Sequence, residues 1–300
     1  MDRVAAMAAF VHVVDSGSFS AAASQMRVGQ SSVSKVIAQL EDHLGVRLLF
    51  RSSRALSMTD AGLVFYERAK QAIAEIEEAE FAARGAGAQL SGRLRFSAPV
   101  TFARLHIMPV LLGFMEQHPE LKVEAVLDDQ ITNLVEESID IALRLGPLTD
   151  SALVARRIGR CDRFVIGTPA YFHRVGAPAT PDDLTGLQAI VYPNSGGGWN
   201  WSFSKNGTVK SVSLREHMLV TAAEGVREAV FTGAGFAIGS EWMFSSELET
   251  GKVIAVLTDW ELKPLDLWAV YQGGRQTSAK SRAFAVFVEE VMRRKSFAPS

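Results

Sequence analysis

The chain of 300 residues contains a single cysteine, Cys161. One thiol can form neither an internal disulfide nor a cysteine-based metal cluster, so a disulfide-stapled secreted scaffold is excluded and a reduced, cytoplasmic setting is indicated. Arg160 and Arg163 flank the thiol and are mildly suggestive of a redox sensor. Without a second cysteine, a structural thiol is the better interpretation.

Long apolar runs are also missing. None approaches the roughly 20 residues that a membrane-spanning helix requires, so no membrane partner is predicted. The apolar stretch 4–14 is preceded by Asp2 and Arg3, which cancel, and it therefore lacks the positive start of a signal peptide. Its apolar residues recur at the i, i+3, i+4, i+7 spacing of an amphipathic first helix.

Recognisable catalytic motifs are absent as well. There is no P-loop and no Gly-x-Ser-x-Gly elbow, and the six histidines show no metal-ligand spacing. The glycines of 233–239 come close to a dinucleotide-binding loop, but the third glycine falls one residue late and the predicted order is helix then strand. We therefore predict no catalytic residue, no metal ion and no cofactor, and the chain is not expected to be an enzyme.

Excess charge of either sign is lacking, since the formal net charge is −2. A general basic coat for nucleic acid is thereby excluded. Within residues 27–54, however, there are five basic residues and only two acidic residues, a local surplus of positive charge. Such a local basic patch suits sequence-selective DNA binding by a dimer, in which two patches act together.

The most specific pattern that is present covers residues 17–60. Two short helical patterns lie on either side of a turn at Arg27-Val28-Gly29. Small and apolar residues share one face of the first helix, and Val33, Ile37 and Leu40 form an inward stripe on the second. An arginine-bearing loop follows. This order predicts a winged helix-turn-helix, which is a DNA-reading unit.

The polar face of this unit supplies the candidate DNA contacts. A major groove about 12 Å wide admits a helix whose N-terminal residues meet base edges and phosphates. The candidates around the two helices are Ser18, Ser20, Gln30, Ser31, Ser32, Ser34 and Lys35. Arg51 and Arg54 suit contact with the DNA backbone or minor groove. Singly, each has an ordinary alternative as a helix cap or a solvated charge, but their order and spacing together favour DNA binding.

A long helix is predicted next, over 59–84. Thr59 can cap it, and the first helix-breaking cluster is Gly85-Ala86-Gly87. Positions 62, 66, 69, 73, 76, 80 and 83 form a partly apolar seam with a repeat of about 3.5 residues. Packing on its own domain is the alternative, but a helix that joins two globular parts is better explained as a dimerising helix. Residues 85–92 then form a flexible hinge.

From residue 93 onward, strand and helix patterns alternate. Strands are predicted at 93–98, 121–127, 139–144, 153–158, 164–167, 189–192, 216–220, 236–238 and 265–271, and helices at 103–117 and 280–294. This alternation predicts two α/β lobes with a cleft between them. In such lobes a ligand meets the carboxyl ends of strands and the N-termini of the following helices.

This rule selects the candidate effector residues. They are Ser97, Pro99, Thr101, Phe102, Asp128, Asp129, Arg144 and Thr221. Capping a helix or ending a strand is the alternative role for several of them. Trp199 is added because the glycines at 196–198 suit a mobile flap over a ligand, whereas Trp201 is assigned to the core.

These segments together resemble the LysR-type transcriptional regulators of bacteria. The matching runs are FVxVVxSGSFSAAA from Phe10, QSSVSKxIxxLExxLGVxLLxR from Gln30 and LSMTDAG from Leu56. Residues 94–99 and 140–146 resemble the sensor-domain signatures of that family. Ser31 departs from the pattern, because many relatives have proline there, but that proline only pre-organises the helix.

The resemblance implies an α/β protein with three parts: a winged helix-turn-helix domain at 1–60 (helix-turn-helix about 19–38), a linker helix and hinge at 59–88, and a two-lobed effector domain of the periplasmic-binding-protein type at 92–300. Lobe boundaries of about 93–162 plus 267–300, and 163–266, are implied. Effector contacts are implied at Thr101, around 128–130, near 195–202 and at 221.

The implied partners are double-stranded operator DNA, a small organic effector, further copies of the chain in a homodimer or homotetramer, and RNA polymerase. Contact between copies would run through the linker helix and the effector domains. The alternative is a solute-binding protein whose N-terminal helices serve only dimerisation.

Overall fold

The structure is a computed structural model that describes residues 1–51, 56–84, 90–130, 133–148, 153–193, 197–271 and 277–294. The chain divides into two compact units, residues 1–88 and 89–300. Across the described ranges, no helix combines the length and the apolar character needed to traverse a bilayer.

The N-terminal unit is a winged helix-turn-helix, as predicted. Its elements are α1 (Arg3–Ser16), α2 (Phe19–Met26), α3 (Gln30–Leu44), β1 (Leu49–Arg51), β2 (Leu56–Met58) and α4 (Asp60–Arg84). Strands β1 and β2 pair antiparallel and form the wing. Arg27 ends α2 in the left-handed conformation, with φ 55°, and this turns the chain sharply into α3.

The core of this unit contains the predicted inward stripe of α3. Val33, Ile37 and Leu40 are almost fully buried, and they pack with Phe10 of α1 and the small Ala22 of α2. The small alanine side chain lets α2 and α3 approach closely, and the polar face of α3 is therefore turned outward.

A buried carboxylate connects α3 to the wing. Glu41 is 2% exposed, and its Oε1 accepts hydrogen bonds from the backbone N–H groups of Leu48 (2.9 Å) and Leu49 (3.2 Å). Its Oε2 accepts from Nη1 of Arg47 at 2.9 Å. In the sequence, Glu41 is one of the two acidic residues within 27–54 and no other role was predicted for it; in the fold it holds the segment that enters β1.

The prediction that the seam of α4 faces a second copy of the chain is wrong for its first three positions, 62, 66 and 69. Ala69 is 2% exposed, Tyr66 packs on the core of the N-terminal domain and donates a hydrogen bond to Asp15, and Gly62 lies against the carbonyl of Leu48. These residues therefore face their own domain. The outward face in this part of α4 instead presents apolar side chains at Leu63 and Val64, which are 52% and 65% exposed.

The C-terminal unit is built from short strands and helices. Its strands are β3 (Gly92–Ala98), β4 (Leu121–Leu127), β5 (Ile141–Leu145), β6 (Val154–Cys161), β7 (Arg163–Gly167), β8 (Ala189–Val191), β9 (Asn200–Lys205), β10 (Thr208–Ser213), β11 (Glu216–Leu219), β12 (Ala237–Ser240), β13 (Ile254–Val256), β14 (Glu261–Leu262) and β15 (Leu265–Tyr271). Its helices are α5 (Val100–Phe102), α6 (Met108–Gln117), α7 (Pro169–Val175), α8 (Ala223–Phe231), α9 (Glu241–Glu249) and α10 (Ala279–Arg294). A π-helical segment, Ala103–Ile107, joins α5 to α6, and a 3-10 segment covers Pro181–Gly186.

Two groups of sheets define two lobes within this unit. Lobe 1 denotes the five-stranded sheet of order β4-β3-β5-β15-β6 with α5, α6 and α10. Lobe 2 denotes the sheets β12-β7-β13, β11-β8 and β10-β9-β14 with α7, α8 and α9. The first three strands of lobe 1 run parallel, whereas β15 returns from lobe 2 and pairs antiparallel with β5 and β6.

Several features of this unit differ from the sequence expectation, and among them are α7, α9, β13 and β14, which were not predicted. The helix predicted at 103–117 begins at Val100 and contains the π-helical segment. The hairpin of β9 and β10 was not predicted, although its two-residue turn, Asn206-Gly207, has the positive φ angles that such hairpins require. Trp201 on β9 is buried in the core of lobe 2, as predicted.

Candidate DNA-binding and ligand-binding sites

The exposed face of α3 is the candidate DNA interface. Gln30, Ser31, Ser32 and Lys35 are exposed and Ser34 is half-buried, on the side opposite the buried stripe. Gly29 occupies the N-cap, no side chain caps the helix, and its first turn contains no acidic residue. The N-terminus of α3 therefore offers backbone N–H groups and a partial positive charge to a phosphate.

The remaining DNA candidates occupy different positions. Ser18 is the N-cap of α2: its Oγ accepts from the N–H of Ala21 at 3.4 Å and lies 2.9 Å from the Oγ of the exposed Ser20. The backbone of Arg51 pairs with Leu56 at the end of β1. Arg54 lies outside the described residues.

A cavity between the two lobes brings four of the effector candidates together. It encloses about 730 Å³, counted out to its open mouth. Pro99, Thr101, Phe102 and Asp129 line it from lobe 1, at the carboxyl ends of the parallel strands. The opposite wall comes from lobe 2 and is mostly apolar, with Ala223, Ile238, Gly239, Trp242 and Met243.

A second, more polar cavity of about 550 Å³ adjoins the first and shares Pro99 and Asp129 with it. The other lobe 1 candidates, Ser97, Asp128 and Arg144, line this outer cavity. Trp199 and Thr221 are not among the residues that line either cavity. Nε1 of Trp199 instead donates to Oε2 of Glu216 at 2.7 Å, so the tryptophan joins its loop to β11.

Thr101 is the most informative side chain of the inner cavity. It is 3% exposed, and its Oγ1 has no hydrogen-bond partner within the part of the chain that the structure describes. A buried hydroxyl without a partner costs about 1–3 kcal/mol, because the hydrogen bond to water that it loses is not replaced. A ligand group that pairs with this hydroxyl recovers that cost.

Several contacts between the lobes surround the cavity. Arg104 of the π-helical segment donates to Glu224 of α8 through Nε (2.8 Å) and Nη2 (3.0 Å). Nε2 of His106 lies 2.7 Å from the carbonyl oxygen of Trp242. No role was predicted for Arg104, His106 or Trp242 from the sequence, since their partners are more than 100 residues away. The π-helical segment itself leaves no sequence signal.

The charged residue that lobe 2 contributes to the cavity is Arg163. Burial lowers the pKa of its guanidinium. Its Nη1 donates to the carbonyl oxygen of Lys263 at 3.2 Å, and the guanidinium lies 5.3 Å from the ring of Trp201. These contacts hold Arg163 within lobe 2. In the described part of the chain, no group of three or more potential metal ligands is assembled.

Cys161 is buried at the end of β6, and burial raises the pKa of its thiol to about 12. Because only the thiolate is nucleophilic, we expect native Cys161 to react with iodoacetamide at pH 8 about a thousandfold more slowly than the urea-unfolded chain. Reactivity should rise only as the pH approaches the folded-state pKa. Equal rates for the folded and unfolded protein would contradict the structural-thiol interpretation.

Comparison with known proteins covers both units. The family model described as the bacterial regulatory helix-turn-helix protein of the lysR family matches residues 4–63, and the LysR substrate binding domain matches residues 87–293. An HTH-type transcriptional repressor of Pseudomonas aeruginosa is 32% identical over 300 residues, which covers 97% of this chain and 92% of that protein. The regulator PtxR from the same species is 30% identical, covering 96% and 93%.

Solved structures of LysR-type regulators resemble this chain over nearly its whole length. CrgA from Neisseria meningitidis, a LysR-type transcriptional regulator, superposes with a TM-score of 0.60 at 27% identity, covering 97% of this chain and 98% of that one. The Vibrio cholerae virulence activator AphB gives a TM-score of 0.57 at 28% identity, covering 94% and 97%.

A winged helix-turn-helix followed by a two-lobed domain with an interlobe cavity defines a ligand-responsive DNA-binding regulator. The matches to both units assign it more narrowly. The chain belongs to the LysR family of transcriptional regulators, with an N-terminal DNA-binding domain and a C-terminal effector-binding domain.

Proposed function

We propose that α3 reads an operator sequence and that a small organic effector binds in the inner cavity between the lobes. The observation that carries the effector site is the buried Thr101 hydroxyl. It has no hydrogen-bond partner among the described residues, and Thr101 lines a mostly apolar cavity at the carboxyl ends of parallel strands. Mostly apolar cavities with a few convergent polar groups are typical of small-molecule sites. The proposed mechanism is a population shift, in which the ligand favours one arrangement of the lobes.

A population shift requires contacts that differ between the two arrangements of the lobes, and we propose that these contacts lie at the lobe boundary. Arg104 and Glu224 form a two-pronged ion pair across it, and a ligand that changes the cleft width would strengthen or break that pair. Altered packing between subunits would then change the spacing of the DNA-reading heads.

Partners beyond DNA and effector belong to the same proposal. The exposed Leu63, Val64 and Ile76 of α4 offer an apolar surface to a second copy of the chain, and the effector domains provide further contact between copies. We propose that the protein contacts RNA polymerase when it is bound near a promoter. One relative is named a repressor and a structural neighbour an activator, so we propose regulation without choosing its direction. We propose that the protein acts in the cytoplasm, where its DNA lies, and that it catalyses no reaction.

Selection of fragmented genomic DNA by the purified full-length protein at near-physiological salt tests the operator function. Enrichment of a few imperfect inverted repeats is the expected result, because two symmetry-related heads read two half-sites. Retention of DNA without any sequence enrichment, in the presence and absence of cell-extract metabolites, would contradict sequence reading. The solute-binding alternative predicts no salt-dependent retention at all.

Individual DNA contacts can then be separated by their sequence and salt dependence. We expect Gln30→Ala and Ser34→Ala each to cost about 1–3 kcal/mol on the selected operator and little on scrambled DNA, because they remove base contacts. Lys35→Ala, Arg51→Ala and Arg54→Ala should weaken both sequences alike and reduce the salt slope by about one. Fluorescence anisotropy at several salt concentrations measures both quantities. An Arg51→Ala variant that changed base preference at an unchanged salt slope would contradict the backbone role.

Thr101→Val tests the effector site, and its effect on the ligand-free protein can be measured without knowledge of the ligand. The substitution keeps the shape and removes a hydroxyl that has no hydrogen-bond partner in the described part of the chain. We therefore expect the melting temperature of the ligand-free protein to stay constant or rise, and the effector response to disappear. Thr168→Val is the matched control, because that hydroxyl caps α7 through the N–H of Tyr171. The control should lose about 1 kcal/mol of stability. A comparable loss in Thr101→Val would show that its hydroxyl is already paired.

A further inference from the structure

The carboxylate of Asp129 accepts hydrogen bonds from the N-termini of two helices, one in each lobe. Oδ1 of Asp129 accepts from the backbone N–H of Val100, the first residue of α5, at 3.0 Å. Oδ2 accepts from the N–H of Ala223, the first residue of α8, at 3.3 Å. Neither helix has a side-chain cap of its own, since Pro99 and Ala222 occupy the cap positions. Asp129 therefore caps both helices from a distant loop.

A second, independent observation points to a ligand at the same place. Thr101, adjacent to Val100, lines the inner cavity, and its buried Oγ1 has no hydrogen-bond partner among the described residues. Phe102, Trp242 and Met243 supply apolar surface around it. A ligand that fills the cavity accordingly buries its apolar body against these side chains and presents its polar end to Thr101 and Asp129.

We propose that Asp129 determines the charge of the effector: at this end of the cavity the ligand presents a hydrogen-bond donor, a hydroxyl or an ammonium group, and not a carboxylate. The inference rests on the proposed function of the cleft. Helix N-termini attract anions, but here the chain's own carboxylate already occupies that position. A ligand carboxylate beside it meets a like charge, whereas each Asp129 oxygen keeps a lone pair that accepts from a donor. The cation of the same lining, Arg163, belongs to the lobe 2 wall, where its Nη1 donates to the carbonyl oxygen of Lys263.

The test uses three ligands with one apolar body: 2-naphthylmethanol, 2-naphthylmethylammonium and 2-naphthoate. Their affinities are measured by titration calorimetry on the full-length protein and on Asp129→Asn. We expect the wild-type protein to bind the alcohol and the ammonium at least about tenfold more tightly than the carboxylate, because of the Coulomb term at short range. Asp129→Asn should weaken ammonium binding and strengthen carboxylate binding, each by about tenfold.

Glu116→Gln is the matched control. It removes the same formal charge from lobe 1, at an exposed position of α6 that is not among the residues lining either cavity. The order of the three ligands should be unchanged in this variant.

The outcomes separate the inference from the function on which it rests. If wild-type protein binds naphthoate as tightly as the alcohol, the cleft is a ligand site but the inference is wrong. An order that is unchanged in a folded Asp129→Asn variant overturns the inference as well. If no protein binds any of the three, the proposed function of the cleft falls and the inference with it. The wild-type order decides the matter even if Asp129→Asn does not fold.

Discussion

Glu41→Ala is expected to lower the free energy of unfolding of the N-terminal unit by about 3 kcal/mol or more, because it leaves buried donors without an acceptor. The backbone N–H groups of Leu48 and Leu49 both lose their partner, and the guanidinium of Arg47 loses its ion pair. The segment that leads into β1 would no longer be held against α3. We therefore also expect operator affinity to fall, although Glu41 lies on the side of α3 that faces the core.

Hydrogen exchange in the full-length protein measures this effect locally. Peptides from α1 to α3 should exchange faster in Glu41→Ala, while peptides from the C-terminal unit keep their wild-type rates. Asp42→Ala is the matched control, since Asp42 is exposed beside Glu41 and its loss should change stability by no more than about 0.5 kcal/mol. Equal exchange in the two variants would show that the Glu41 hydrogen bonds add nothing to the fold.

Gly62→Ala is the second change with a large expected effect. A Cβ at this position of α4 would lie 2.0 Å from the carbonyl oxygen of Leu48. That oxygen also accepts from the N–H of Thr59, so moving it would disturb the start of α4. The atom that the new Cβ would meet, and the group that donates to it, both belong to the backbone, so no side-chain rotation can relieve the clash. We expect a loss of about 3 kcal/mol or more, at the upper end of the cost of overpacking.

Gly113→Ala is the control for helix propensity. Gly113 lies within α6, and a Cβ there meets no atom within 4 Å. The same substitution should therefore stabilise the protein by up to about 1 kcal/mol. Thermal unfolding of the two variants, followed by circular dichroism, should give melting temperatures on opposite sides of the wild-type value. A Gly62→Ala variant that melted above the wild type would mean that α4 does not lie against Leu48.

Local patterns were sufficient for much of the fold. The i, i+4, i+7 stripe of Val33, Ile37 and Leu40 identified the buried face of α3, because a helix has only one geometry for that spacing. The bounds of β4 and β15 follow from runs of strand-forming residues and agree with the structure. The hairpin of β9 and β10 was missed even though Asn206-Gly207 is a turn signal and β9 alternates polar and apolar residues, since the two valines of β10 are three residues apart and do not alternate.

The sequence by itself predicted most of the strands, the polar face of α3 and the place of the cleft at the strand ends, because these depend on neighbours within about a turn of helix or a few residues of strand. Only the tertiary structure decided which element each helix face packs against. Periodicity showed that Gly62, Tyr66 and Ala69 share one side of α4, but only packing showed that this side meets its own domain. Asp129 joins two N–H groups that lie 29 and 94 residues from it, and no local pattern records such a contact.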